Sequence, residues 1–548
     1  MRYCWLFLLL LLGGCHLGPR YEAPDLSAPV EWKTAVSEAD LASCENWWEI
    51  FGDEELNRLE CLVVENNPDL TVALEKVAEA RALAGIAKST LYPQANLNPS
   101  YNNVNQLIEL YGVPQGLFPG LQTITRVKEL TYQLPVAMSY EVDLWGRFRG
   151  TYNAASIYAQ ARDEALKATM LTLTSDLASN YFNALAVDTQ LSLIAEVLRL
   201  QKKKLKLTTS RFDAGLVSLM ELLEVEGHVA DLDAEYQETA RQRAQFENAM
   251  AALIGTPASE FQVASRLLLL DPPAIPAGLP SSMLVRRPDV AQAERMMASL
   301  HEFIGVAYSS YLPGISLTSA IGYLSPDLSQ FLRWPSRLWQ FGVNISETIF
   351  NAGRNSSYVK LAYARFRETK AAYESAVLTA FQEVEDALTN VGQQNKQFDS
   401  LEESWKAAEK NNWLSQKRYG KGIVSLLDTL DAEEKEIDAK RSYLNVLGNR
   451  YQSTVQLIKA LGGGWGDLCK TSAEESGGCG EIKNSDEKEW PDVVQDGRGG
   501  DRLEKDSARD VHEVAGRIDQ GDVLEPNRHI VDGSGEAGEE YSGCQKNE

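Results

Sequence analysis

The sequence has 548 residues and carries 77 acidic against 53 basic side chains, a formal net charge of -24. So acidic a chain lacks the basic surface that phosphate binding demands, which argues against a nucleic-acid partner. It contains no run of 18 or more apolar residues, so no helix is expected to span a bilayer, and its length allows several domains or one large repetitive one.

The chain opens with MRYCWLFLLLLLGGC. Arg2 supplies a minimal charged region and Trp5 to Leu12 a short apolar one, the pattern of a secretory signal peptide over residues 1–14. Leu12-Gly13-Gly14-Cys15 resembles a bacterial lipobox, which implies lipid attachment at Cys15. That covalent lipid is the only non-protein group expected; no cofactor or metal is. His16 stands where an aspartate would favour inner-membrane retention, so the outer membrane is the expected location. Residues 15–53 then form a lipidated N-terminal segment. Cys44, Cys61, Cys469, Cys479 and Cys544 remain. An odd number without tight spacing gives no metal site and no readable disulfide framework, although Cys44 and Cys61 could pair in an oxidising periplasm.

From residue 54 the sequence repeats itself. Asn67-Pro68-Asp69 matches Arg287-Pro288-Asp289, and Tyr92-Pro93 matches Leu312-Pro313. Later Gly146-Arg147 matches Gly353-Arg354, and Arg211, Gly215, Val217, Ser218 and Leu219 match Arg418, Gly422, Val424, Ser425 and Leu426. The offset changes between Pro93 and Gly146, so the first copy holds an insertion there. The copies occupy residues 54–255 and 280–465, joined by a linker at 256–279. Each reads helix, strand, strand, helix, helix.

The strands are expected at about 95–107, 131–145, 314–325 and 338–350. In QLPVAMSYEVDLWGR, Leu134, Val136, Met138, Tyr140, Val142 and Leu144 alternate with polar or small residues. Phe341, Val343, Ile345 and Ile349 do the same in the second copy, with Glu347 breaking the apolar row. Pro99 and Pro135 argue for bulges or strand starts. Long helices are expected at about 148–208, 218–253, 355–417 and 425–461. Leu166, Met170, Leu173, Leu177 and Tyr181 form a coiled-coil-like seam. Sixty helical residues reach roughly 90 Å, too long for a compact ball.

Four strands with one apolar face pose a problem. In lipid every strand edge must be paired, and closed membrane barrels need at least about 8 strands. The chain must pool strands with other copies, two giving eight and three giving twelve. A soluble β-domain capping a periplasmic coiled coil is the alternative on pattern alone.

Each pair of long helices is separated by a similar turn, RFDAGLVSLMELLEVEG at 211–227 and RYGKGIVSLLDTLDAEE at 418–434. Gly215 and Gly422 suit the left-handed residue that ends a helix. Ser218 with Glu221, and Ser425 with Asp428, have the spacing of capping boxes. Capping leaves Glu224 and Asp431 unexplained. In a symmetric assembly such acids form rings, which favour cations and, by like-charge crowding, raise carboxyl pKa values. A solvated helix face is the plainer account of Asp431.

The succession of motifs resembles the TolC/OprM family of outer-membrane efflux channels, lipoprotein branch, over residues 12 to about 465. The residues carrying it are Cys15-His-Leu-Gly-Pro-Arg-Tyr21, Trp47-Trp48 with Phe51-Gly52-Asp53, and SYEVDLWGR at 139–147. LPSSMLVRRPDVAQAE at 279–294, RYGKGIVSLLDTLDAE at 418–433 and ALGGGW at 460–465 complete the set. The resemblance implies an α+β membrane channel, a homotrimer with one twelve-stranded β-barrel in the outer-membrane lipid and a long helical periplasmic tunnel. It implies a periplasmic adaptor and an inner-membrane RND-type pump as partners. It also implies that Asp428, Asp431 and Tyr419 line a closed periplasmic entrance, with Glu221, Glu224 and the caps Ser218 and Ser425 flanking it. Val424 replaces an arginine found there in some members, so that salt bridge is not expected.

Residues 466–548 carry roughly half of the net negative charge and few aromatics, a composition expected to be disordered. No phosphate loop, Cys/His metal spacing or partnered nucleophile is present, so an enzyme is not expected. Trp47-Trp48 read as core, and His228 and His301 as surface residues. The expected function is an efflux exit duct. The duct of a type I protein-secretion system is the alternative within the class, and a lipid-anchored coiled-coil scaffold the alternative outside it.

Overall fold

A computed structural model describes residues 17–24, 29, 32–33, 46–109, 124–275 and 286–463. The signal peptide, Cys15, Cys44 and the acidic tail lie outside the described residues. Among those described, the elements run α1 (Glu54–Asn66), α2 (Pro68–Ser89), β1 (Gln94–Leu97), β2 (Ser100–Glu109), β3 (Ile124–Val142), α3 (Arg147–Asp213) and α4 (Leu219–Ile254). They continue with α5 (Pro288–Ser309), β4 (Gly314–Ser325), β5 (Arg337–Ser346), α6 (Arg354–Tyr419) and α7 (Leu426–Ala460).

Local chemistry sets the helix starts. Asp53 caps α1 by accepting from the amides of Glu55 and Leu56 at 3.0 and 3.2 Å. Asn67 caps α2 with Pro68 in its first turn, where a missing N–H costs nothing. Arg287, at the matching position before α5, makes no such cap. Its guanidinium instead bonds Asp289, Glu383 and the Ala460 carbonyl, tying the start of α5 to the middle of α6 and the end of α7.

The core surrounds the middle of α3. Leu173, Leu177 and Tyr181 of the seam are buried there, with Leu166 and Met170 partly buried against them. Trp47 and Trp48 are each 2% exposed. At roughly 25 cal/mol per Å² and about 200 Å² apiece, each burial stabilises by on the order of 5 kcal/mol before entropy is subtracted. Phe51, Phe182 and Tyr451 join this cluster, so the N-terminal segment locks α3 to α7. A second cluster joins Val290 and Met297 of α5, Val377 and Val384 of α6 and Leu457 of α7. His301 is buried between the rings of Tyr21 and Phe366, not on the surface as its isolation in the sequence suggests. Cys61 is disulfide-bonded, and every other cysteine lies outside the described residues.

The strands form one antiparallel sheet in the order β1-β3-β4-β5, with β2 also on β3. Pro99 interrupts the first edge strand, splitting the expected 95–107 into β1 and β2, since a proline cannot donate to the ladder. Further differences follow from the ladder. β3 begins at Ile124, not near 131, because residues 124–131 pair with β2 beyond the end of β4. β3 also ends at Val142 and β5 at Ser346, short of 145 and 350. The extra length of the first hairpin is where the sequence offset changes.

Cross-strand partners share a face. One row reads Val136, Ile321, Trp339; the next rows read Met138, Ser319, Phe341, then Tyr140, Leu317, Val343, then Val142, Ile315, Ile345. This face is almost wholly apolar, yet Ile321, Trp339, Phe341, Val343 and Ile345 are exposed. The opposite face carries Pro135, Ala137, Thr318, Ala320, Gln340, Gly342 and Asn344. The sheet joins directly to the helices. Trp145 donates to the Pro313 carbonyl at 2.7 Å, and the Arg149 amide donates to Asp143 at 2.9 Å at the start of α3.

Candidate functional site

The two helical hairpins, α3 with α4 and α6 with α7, turn at the end of the chain remote from the sheet. Gly215 and Gly422 hold φ of 69° and 70°, left-handed values that a side chain disfavours. Each is followed by a serine N-cap. Ser425 accepts from the Asp428 amide at 3.2 Å, and Asp428 in return accepts from the Ser425 amide at 2.9 Å and its hydroxyl at 2.7 Å. The capping box is complete. At the first turn Ser218 accepts from the Glu221 amide at 3.2 Å without the reciprocal bond, so only half of the expected box forms.

These bonds favour the ionised Asp428. Its pKa is lowered from the usual carboxylate value, first by the Ser425 hydroxyl and then by the Ser425 amide. Within one protomer the direction is therefore opposite to the rise that like-charge crowding would cause between copies.

Asp431, one turn further along α7, is bonded to another helix. It accepts from Lys204 Nζ of α3 at 2.7 Å. Related pairs lace α7 to its neighbours. Glu433 lies 3.8 Å from Arg199 of α3, Glu434 lies 3.9 Å from His228 of α4, and Arg441 pairs with Glu235 of α4. Asn412 of α6 donates to Glu436 at 2.6 Å. Burial, then the neighbouring Glu434, raises the Asp438 pKa. The ion-paired groups are all partly or fully exposed, where an ion pair contributes roughly 0–1 kcal/mol. The lacing can thus be broken pair by pair.

Tyr419 closes α6 and is exposed, as are Glu221 and Glu224. Around the first turn Leu216, Leu219, Met220 and Leu223 are also exposed, a set of large apolar side chains in water. The structure thus joins Asp428 to Ser425 and Asp431 to Lys204, but brings neither acid to Tyr419 within one chain. His228, expected at the surface, is exposed there beside Glu434. Lys204 and Arg199 were not singled out in the sequence. A signal for them exists: the basic run Lys202-Lys203-Lys204 near the end of α3 complements the acidic run that opens α7. No cluster of His, Cys, Asp and Glu suited to a metal ion occurs among the described residues.

Near the other end of the helices, Leu17, Gly18 and Pro19 line an open groove with Tyr308, Tyr311, Val359 and Tyr363. Cys15, two residues before Leu17, lies outside the described residues.

Comparison with known proteins gives a consistent result. The family model described as "Outer membrane efflux protein" matches residues 62–256 and 279–463. The chain is 32% identical over 468 residues to the solvent efflux pump outer membrane protein SrpC of Pseudomonas putida, covering 84% of this chain and 97% of SrpC. It is 30% identical over 464 residues to the cation efflux system protein CusC of Escherichia coli, covering 83% and 97%. The solved structure of the Campylobacter jejuni CmeC outer membrane channel superposes with a TM-score of 0.75 at 26% identity, covering 84% of this chain and 98% of that one.

Proposed function

Because the chain belongs to the outer membrane efflux protein family, we propose that it works as a homotrimer whose sheets close into one barrel and whose helices form one periplasmic tunnel. The protein is an outer-membrane channel, the exit duct of an efflux system. The observation carrying the trimeric reading is the sheet. It is four strand positions wide, its edges β1/β2 and β5 have no partner among the described residues, and its outward row is apolar and exposed. Such a sheet is unstable alone in lipid, because unpaired backbone groups there cost several kcal/mol each. Three copies supply twelve strands. The small and polar face then lines a wet lumen, and the apolar face meets the membrane.

Transport is passive in this reading. The inner-membrane pump supplies the energy, and a periplasmic adaptor joins pump to duct, meeting the exposed apolar side chains around Leu219 and Met220. The copies of Asp428, Asp431 and Tyr419 ring the entrance, with Glu221 and Glu224 flanking it. Opening moves α7 away from α3 and α4, which separates Asp431 from Lys204 and Glu433 from Arg199. Lipid on Cys15 tethers the chain to the inner leaflet, and Leu17–Pro19 lie in a groove with Tyr311 and Leu312, which stand just before β4.

The test is copy number of the detergent-extracted protein together with single-channel current in a planar bilayer. A trimer giving small, cation-selective steps that grow in Asp428→Ala/Asp431→Ala supports duct and entrance together. A silent, non-trimeric protein returns the reading to a scaffold.

A further inference from the structure

The connection from β4 to β5, at the end of the sheet away from the helices, reads LSQFLRWPSRLWQ from Leu328. Between Leu328 and Ser346 there are two arginines and no acid. Leu332 and Trp334 are 67% and 74% exposed. In water so many large apolar groups in so short a stretch are a liability, whereas at a lipid–water boundary they are at home.

The segment is folded onto the lipid-facing side. Phe331 packs against Tyr132 and Tyr323, with ring centroids 6.2 and 6.4 Å away. Tyr323 pairs with Leu134 on one side and Arg337 on the other, so all three belong to the apolar face. Tyr101, tilted against Tyr132 with ring centroids 5.1 Å apart, extends the belt. Arg337 is oriented within it. Its guanidinium lies 3.0 Å above the Trp334 ring, and its Nε donates to the Trp334 carbonyl at 3.2 Å.

Neither Arg333 nor Arg337 makes an ion pair among the described residues. The nearest acid in sequence, Asp327, accepts from the Ser329 amide at 2.8 Å. Residues 94–105, the edge that would meet β5 of another copy, carry no acid either. The Arg337 guanidinium at the level of this aromatic belt, with Arg333 four residues before it in the same connection and no carboxylate paired with either among the described residues, matches a phosphate-bearing headgroup, which Arg binds through paired N–H donors. We propose that Arg333 and Arg337, framed by Phe331, Trp334 and Tyr323, bind the phosphate of an outer-leaflet glycolipid. This rests on the outward assignment of the apolar face made above.

The full-length protein in detergent is titrated with bis-phosphorylated lipid A, with dephosphorylated lipid A and phosphatidylglycerol as comparisons. Bound lipid per chain is read by native mass spectrometry. Saturable binding of the phosphorylated form is expected, weakened about tenfold or more in Arg333→Gln/Arg337→Gln and unchanged in Arg365→Gln, a cation on α6. Equal binding of dephosphorylated lipid, or no loss in the double variant, overturns the site. Equally tight phosphatidylglycerol overturns the glycolipid assignment. Heat-modifiability and conductance are measured on the same samples. A conducting barrel that retains no lipid rejects this inference alone, whereas loss of both rejects the channel reading beneath it.

Discussion

Lys204 of α3 and Asp431 of α7 are 227 residues apart in sequence and in direct contact, Nζ to Oδ1 at 2.7 Å, one turn beyond the capping box that starts α7. The pair ties the tip of the second hairpin to the first. Lys204→Met is expected to weaken that tie by up to about 1 kcal/mol, since both side chains are partly exposed. Single-channel recordings should show larger or more frequent openings. Combining Lys204→Asp with Asp431→Lys should restore most of the closed behaviour. If the swap opens the channel as much as either single change, the pair is not a latch.

The two serine caps differ in depth, and their substitutions should differ too. Ser425→Ala removes a complete box and is expected to cost about 1–2 kcal/mol at the first turn of α7. Ser218→Ala removes a single bond and should cost less. Amide hydrogen exchange at residues 426–430 and 219–223 compares them directly.

Asp428 sets the acid sensitivity of the same turn. Its pKa is lower in the folded chain than the ordinary 3.8, so the folded state holds the proton less tightly than the unfolded one. The contribution is complete above the unfolded value and is lost as pH falls through the folded one. Exchange in the first turn of α7 should therefore accelerate on acidification below about pH 4, and Asp428→Asn should remove that dependence.

Glu60 of α1 behaves in the opposite sense. It is fully buried, neither carboxyl oxygen has a hydrogen-bond partner, and burial pushes its pKa well above the usual value. The folded state keeps a proton that the unfolded state releases, so stability falls as pH rises from the unfolded pKa towards the folded one. Glu60→Met should raise the thermal midpoint at pH 8 and change it less at pH 5. An equal shift at both values would mean the carboxyl is not held neutral.

Gly322 stands opposite Pro135 in the β3–β4 ladder, and a Cβ there would meet the Leu134 carbonyl oxygen at 2.1 Å. That is backbone, so it cannot swing aside. Gly322→Val is expected to break the pairing of β3 with β4 and abolish the heat-modifiable form in gels. A folded barrel in this variant would show that the ladder can shift.

How legible these features were depended on whether the signal was local. The alternation from Leu134 to Val142 and the seam from Leu166 to Tyr181 are local patterns, and both surface in the structure as faces. Gly215, Gly422 and the serine caps are equally local. The start of β3 was not, because Thr125 and Val127 acquire strand structure by pairing with Ile108 and Gln106 across a hairpin. The pairing of Lys204 was not local either: the basic run Lys202-Lys203-Lys204 is visible, but the partner, Asp431, lies in the other half of the chain. His301 looked like a surface residue because sequence does not reveal that Tyr21 returns to cover it.

In the proposed opening, the aromatic cluster that joins Trp47, Phe51 and Phe182 to Tyr451 would serve as the fulcrum. From Phe182 to the end of α3 at Asp213 the helix is an arm of about 46 Å. A swing of about 5° at the fulcrum carries the far end roughly 4 Å, more than the reach of a hydrogen bond. Leverage of this kind lets a rearrangement small enough to leave the packed rings in place undo every ion pair at the tip.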